Sequence, residues 1–274
     1  MLDACEKEGL GGLELSSGLP YSPEILSQAQ AAKDRKLRLL VHNYFPPPRE
    51  PFVLNLASPD SVTLEASLKL CREAIDLSAH LGAPFYSVHS GFAMRLSADQ
   101  LGQPETQAGL AQDRLIDRGE AEKIFRHSVG ELSQHAKNRG VGLLLENNVV
   151  TSKQVAAGRA HTLLMTSPKE MCAFVDDLQD SNVGLLLDTG HAKVAAAALG
   201  FSPGECFDLL GDRVRALHLS DNDGHADSNR PFSQDAWFAP FLAERKNIPA
   251  VIEVYRLDAA ERRRQYEALQ SILS

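Results

Sequence analysis

Val141-Gly142-Leu143-Leu144-Leu145-Glu146 and Val183-Gly184-Leu185-Leu186-Leu187-Asp188 are one apolar pattern written twice, each closed by a carboxylate. Val214-Arg215-Ala216-Leu217-His218 and Ala250-Val251-Ile252-Glu253 end in the same way, on a residue able to bind a divalent metal. Short apolar runs without polar alternation read as strands buried on both faces, as in a parallel sheet covered by helices. A charge at the end of such a strand is costly to bury unless it is paired or bound to a metal. Four such ends predict strands converging on a single point, with the ligands around it.

Working outward, strands are predicted over 12–16, 37–43, 84–89, 141–146, 183–188, 214–220 and 249–254. Helical spacing lies between them, with apolar stripes over 64–81, 120–138 and 168–178. Ser167-Pro168, Ser202-Pro203 and Ser22-Pro23 read as capped helix starts, and Leu81-Gly82 and Arg139-Gly140 as helix ends. Strand–helix alternation predicts an α/β fold, a (β/α)8 TIM barrel lacking its first strand, because the chain opens in a helical pattern at Leu2, Cys5 and Leu10. A doubly wound open sheet is the alternative. The stretches 45–60, 92–118 and 148–167 are long loops, and loops of that length are often lids.

The chain of 274 residues, 43% hydrophobic, is sized for a single barrel domain over 1–274. No apolar run is long enough to span a membrane, and the N-terminus lacks the pattern of a signal peptide. The four cysteines, Cys5, Cys71, Cys172 and Cys206, are scattered, which suits reduced thiols and a cytoplasmic location. With 36 acidic against 28 basic residues the net charge is −8, which weighs against a nucleic-acid partner.

Two more strand ends carry imidazoles, at Val41-His42-Asn43-Tyr44 and Ser87-Val88-His89-Ser90-Gly91. The full series His42, His89, Glu146, Asp188, His218 and Glu253 is too regular for packing alone. Glu146, Asp188, His218 and Glu253 form a mixed oxygen and nitrogen set that suits one divalent ion, Mn, Co, Mg or Zn, with no thiolate to favour zinc. Such an ion can hold two adjacent oxygens of a polyol or ketose and polarise a carbonyl. Glu146 and Glu253 are then the acid/base pair, and Asp188 a plain ligand. His191, three residues past Asp188, can reach the same site. Arg230 could bind a substrate oxyanion, Lys193 an anion, and Glu14 either faces the barrel mouth or pairs with a neighbour. Trp237 and Phe238 are expected in the core or at an interface.

The Glu146-Asn147, Asp188-Thr189-Gly190-His191, His218-Leu219-Ser220-Asp221-Asn222-Asp223 and Glu253 motifs resemble the xylose isomerase-like TIM-barrel superfamily, which includes the family 2 AP endonucleases. The resemblance runs from about residue 10 onward. It implies a metal-dependent sugar or sugar-phosphate isomerase or epimerase acting on a small polyol substrate through an enediolate. It also implies Glu146, Asp188, His218 and Glu253 on the metal, His191 on substrate oxygens, and a homo-oligomer in many members. The endonuclease IV branch is the sharp alternative, because His42-Asn43-Tyr44, Leu54-Asn55-Leu56-Ala57-Ser58-Pro59 and His89-Ser90-Gly91 resemble it. That branch would bring a second metal to His42 and His89, which otherwise contact substrate. Its third zinc uses an Asp-x-His pair, and this chain reads Asp227-Ser228-Asn229 there; Asp223-Gly224-His225 has the spacing but falls earlier. Asp227 remains a substrate-contacting candidate. An inosose-type dehydratase would use the same metal and expel a hydroxyl.

Overall fold

The computed structural model describes residues 9–274. Its seven strands are β1 Gly12–Leu15, β2 Arg38–His42, β3 Phe85–His89, β4 Gly142–Glu146, β5 Val183–Asp188, β6 Val214–Leu219 and β7 Ala250–Ile252. All are parallel, and each pairs with its successor in the order β1-β2-β3-β4-β5-β6-β7. A doubly wound sheet would reverse its order at a switch point; this one does not. The wall is that of a (β/α)8 barrel one strand short. Among the described residues β7 does not pair with β1, so the wall is open between these two strands. The opening pattern at Leu2 and Cys5 lies outside the described residues.

The helices are α1 Ile25–Asp34, α2 Ser61–Leu81, α3 Pro104–Ala108, α4 Arg118–Arg139, α5 Ser152–Ala156, α6 Pro168–Leu178, α7 Thr189–Leu199, α8 Glu205–Leu210, α9 Ala239–Glu244 and α10 Ala259–Leu273. Helix α6 starts as the sequence predicts, with Ser167 accepting the Glu170 N–H and Pro168 at the first position. The other two Ser-Pro signals start their helices later. Ser22 and Ser202 each close a turn instead, their carbonyls accepting from Ile25 N and Glu205 N, and α1 and α8 begin there. Helices α2 and α4 stop at Gly82 and Gly140 as expected. Phe238 is fully buried in the main core, with Trp237 packed edge-on to it just ahead of α9. No described helix is long and apolar enough to cross a membrane.

Strand alternation sets what each face receives. Outward residues Val41, Tyr86, Val88, Leu143, Leu145, Leu185, Leu187, Leu217 and Leu219 join the main core shared with the helices. Inward residues Leu40, Phe85, Leu144, Leu186 and Ala216 form a separate apolar cluster inside the barrel. Two residues beyond Leu40, Leu144, Leu186 and Ala216, on the same inward face, stand His42, Glu146, Asp188 and His218. The polar strand ends are therefore the layer above an apolar plug, at the C-terminal mouth where barrel enzymes place their chemistry.

The long loops over that mouth are packed rather than free. Phe92, Met94, Leu110, Val150, Leu163 and Ala195 form their own apolar cluster. Bridges join Phe92 to Leu163 and Met94 to Leu115, and Gln154 Nε2 donates to Gln107 Oε1 at 2.9 Å. The Leu-Asn-Leu-Ala-Ser and His-Ser-Gly motifs meet here. A side chain on Gly91 would place its Cβ 2.6 Å from Ala57 Cβ, so the two loops pass at a distance only glycine allows. Asn55 staples them, its Nδ2 donating to Phe92 O at 2.9 Å and its Oδ1 accepting from Phe92 N at 3.1 Å and Ala57 N at 3.0 Å. Replacing Asn55 by Ala leaves these buried backbone groups unsatisfied and should cost on the order of 1–3 kcal/mol. A urea denaturation curve with unchanged slope and lowered midpoint would register it.

Candidate metal centre

Asp188-Thr189-Gly190-His191 is the turn from β5 into α7, and each residue has a distinct task. Asp188 is the N-cap, its Oδ1 accepting the His191 N–H at 2.6 Å, which leaves Oδ2 facing inward. Thr189 Oγ1 donates to Ser220 O at 3.0 Å and accepts from Ser220 N at 3.2 Å, tying α7 to the end of β6. Gly190 lies against that contact, since a Cβ there would sit 2.5 Å from Ser220 Oγ and 3.1 Å from Asp227 Oδ1. His191, in the first turn, directs Nδ1 to Asn147 O at 2.8 Å and Nε2 to Asp227 Oδ2 at 3.3 Å.

Glu146 lies at the centre of the layer. Its Oε2 is 3.2 Å from His42 Nε2 and 3.3 Å from His89 Nδ1, and its Oε1 is 3.5 Å from His218 Nδ1 and 3.6 Å from His191 Nδ1. His218 Nδ1 is also 2.7 Å from Glu253 Oε2 and 3.9 Å from Asp188 Oδ2. Glu253 follows directly on β7, its N–H bonded to Leu219 O, and its Oε1 accepts the Tyr255 hydroxyl at 2.7 Å. Ligand atoms of Glu146, Asp188, His218 and Glu253 all lie within 4.8 Å of one another, and those of His42, His89 and Glu146 meet the same limit.

The donor set fits a divalent ion. Glu146 Oε2, Asp188 Oδ2 and His218 Nδ1 are buried and in ionic contact, yet none makes an aligned hydrogen bond. Buried polar atoms left this way call for a partner, and oxygen and imidazole donors suit Mn, Co, Mg or Zn. In the protein alone, imidazoles balance the charge. Burial pushes Asp188 up to about 8, helped by repulsion from Glu253 and Glu146 and opposed by His191. Burial would also raise Glu146 and Glu253. The imidazoles of His89 and His42 outweigh it at Glu146, holding it well below the usual range, and His218 holds Glu253 at about 2. For His218 and His191 burial acts downward, but Glu14 raises the first and Asp188 the second.

The fold thus gathers His42, His89, Glu146, Asp188, His191, His218, Asp227 and Glu253 from separate strands and loops. His42 is 2% exposed, with Nδ1 on Ser87 Oγ at 3.0 Å, so it lies beneath Glu146; His89, 37% exposed at its side chain, reaches the mouth. Arg230 is turned elsewhere, donating to Asp223 Oδ2 at 3.1 Å, and Lys193 pairs with Asp221. His225 is exposed, its N–H on Asp223 Oδ1, while Asn229 is buried and donates to Glu253 O. Three further contributors carry weak sequence signals. Glu14 bonds His218. Asn147 clamps the Asp188 backbone, accepting from its N–H at 2.8 Å and donating to its carbonyl at 3.2 Å. Tyr255 holds Glu253; its only sequence signal is its place two residues past that carboxylate.

The family described as "Xylose isomerase-like TIM barrel" matches residues 2–270. The chain belongs to this family. Among curated relatives, the "Probable endonuclease 4" of Mycobacterium tuberculosis (strain ATCC 25177 / H37Ra) is 26% identical over 232 residues, covering 84% of this chain and 76% of that protein. The ketose 3-epimerase of Arthrobacter globiformis is 25% identical over 149 residues, covering 54% of this chain and 43% of the epimerase. A solved structure of D-psicose 3-epimerase with D-tagatose from Clostridium cellulolyticum H10 superposes with a TM-score of 0.70 at 18% identity, covering 100% of this chain and 92% of that one. That likeness shows the fold.

Gly190 offers a test of the packing. An exposed helix gains about 1 kcal/mol when Gly becomes Ala. Here the contact at 2.5 Å dominates, so Gly190→Ala should destabilise by about 1–3 kcal/mol, as overpacking does. Equilibrium denaturation gives the sign directly.

Proposed function

We propose that the protein is a divalent-metal-dependent isomerase or epimerase of a sugar, sugar phosphate or related polyol ketone. The observation that carries this reading is the gathering of Glu146, Asp188, His218 and Glu253 within 4.8 Å, with two of the carboxylates reaching His218 Nδ1. A bound divalent ion would supply Lewis acidity, holding adjacent substrate oxygens and acidifying the neighbouring carbon-bound proton. Glu146 and Glu253 are the pair that removes and returns that proton through an enediolate. Tyr255 holds one oxygen of Glu253, and His42 and His89 contact Glu146, so both bases are oriented beforehand. Asp188, its Oδ1 committed to the α7 cap, is a plain ligand. We assign His89, at the mouth, to substrate hydroxyls, His191 to Asp227 and the Asn147 carbonyl beside them, and His42 to Glu146. The ketose 3-epimerase relative and the epimerase-like fold support this class of substrate.

Solvent deuterium reports the chemistry. Glu253→Gln should lower isotope exchange at substrate carbon at least about 100-fold, the usual scale for losing a general acid or base, while metal content largely survives. Exchange at the wild-type rate would refute the assignment. Metal uptake should also depend on pH. Asp188 is raised to about 8, so below that it holds a proton that a cation must displace. Affinity should therefore rise with pH towards about 8 and fall in acid, as titration calorimetry at stepped pH would show.

A two- or three-zinc phosphodiester hydrolase is the second reading, favoured by the His42, His89 and Glu146 cluster and by the endonuclease 4 relatives. Asn229, bonded to the Glu253 carbonyl, and the net charge of −8 count against it. One metal per chain with no cleavage of abasic DNA supports the epimerase; two or more zincs with cleavage support the hydrolase.

A further inference from the structure

We propose that Glu14 on β1 is a positioning residue that fixes the ring of His218, so that Nδ1 is the nitrogen presented to the metal; this rests on the one-metal reading above. Strand β1 borders the gap in the barrel and contributes nothing to the four-ligand set. Glu14 nevertheless faces inward, in register with Leu40, and its carboxylate reaches across to His218. His218 Nε2 lies 3.0 Å from Glu14 Oε1 and 3.1 Å from Oε2, with the Glu14 side chain 7% exposed and that of His218 fully buried.

An imidazole bound to a metal through one nitrogen carries its proton on the other. With Nε2–H given to Glu14, Nδ1 is left to face Glu253 at 2.7 Å, Glu146 at 3.5 Å and Asp188 at 3.9 Å. The opposite tautomer would keep its proton on Nδ1, toward Glu253, where it blocks a cation, and would leave lone pairs facing each other at Glu14. A carboxylate behind a ligand histidine sets the tautomer, orients the ring and strengthens the donor. Because His218 is fully enclosed, this hydrogen bond is not screened by water. Glu14, His42 and His218 are also close enough together to hold an ion themselves. That use would strip the Nε2 proton and make His218 bridge two cations, so it predicts a different metal count.

The test uses the full chain with ¹⁵N-labelled histidine, metal-free and zinc-loaded, as wild type, Glu14→Gln and Glu14→Ala. Wild type should show a slowly exchanging Nε2–H resonance for His218 in both states. Glu14→Ala should lose it, and its zinc affinity in chelator competition should fall about 10- to 100-fold. Glu14→Gln, near-isosteric and still able to accept from Nε2–H, should keep the resonance and lose less affinity, which a merely structural role would not produce. An unchanged resonance or zinc affinity in Glu14→Ala overturns the proposal. So does a wild type that binds two zincs and loses one on substitution, since Glu14 would then be a ligand. A wild type that takes up no divalent ion refutes the metal reading itself, before any variant is made, and the role for Nδ1 with it.

Discussion

A layer of buried carboxyl groups is the constraint on which the rest of this molecule depends. Glu146 and Asp188 are at most 1% exposed, and Glu253 and Glu14 join them in one inward layer. Carboxylates taken out of water need compensation, and removing one partner of such a group costs far more than a surface ion pair yields. Every imidazole of the layer serves that need: His42 and His89 at Glu146, His191 at Asp227, His218 among Glu14, Glu146 and Glu253. A divalent cation suits the same place for the same reason.

This layer stays in register because it rests on a dry one. Leu40, Leu144, Leu186 and Ala216 fill the barrel below it, and the pleat places the polar residues two positions above. The loops then close over the sides. Asn55, Asn147 and Asn148 each bond backbone groups of a neighbouring loop or strand, so these three asparagines act as clamps. Their presence says less about chemistry than Asn229 does, whose side chain is spent on a backbone carbonyl.

The strands, their parallel order and the lack of one strand were legible because continuous apolar runs have few alternatives in a chain of this length. The convergence of Glu146, Asp188, His218 and Glu253 was legible because charged residues at buried strand ends are costly wherever they occur. Two Ser-Pro signals placed a helix start two residues early, since the same dipeptide also closes a turn, and local sequence does not distinguish the two. The long loops read as lids, yet Phe92, Met94, Leu110, Val150 and Leu163 pack together. Their spacing has no period to reveal it, because they come from separate segments.

Sequence alone determined which residues end the strands and which face each must take, because alternation and the cost of buried charge act locally. Tertiary structure alone decided who meets whom. Glu14 and His218 are 204 positions apart, and only barrel curvature brings them into contact. Arg230 sits near Asp227 in sequence but turns to Asp223, while Tyr255 turns back to Glu253. Side-chain direction in loops follows hydrogen bonds that exist only once the loops have packed.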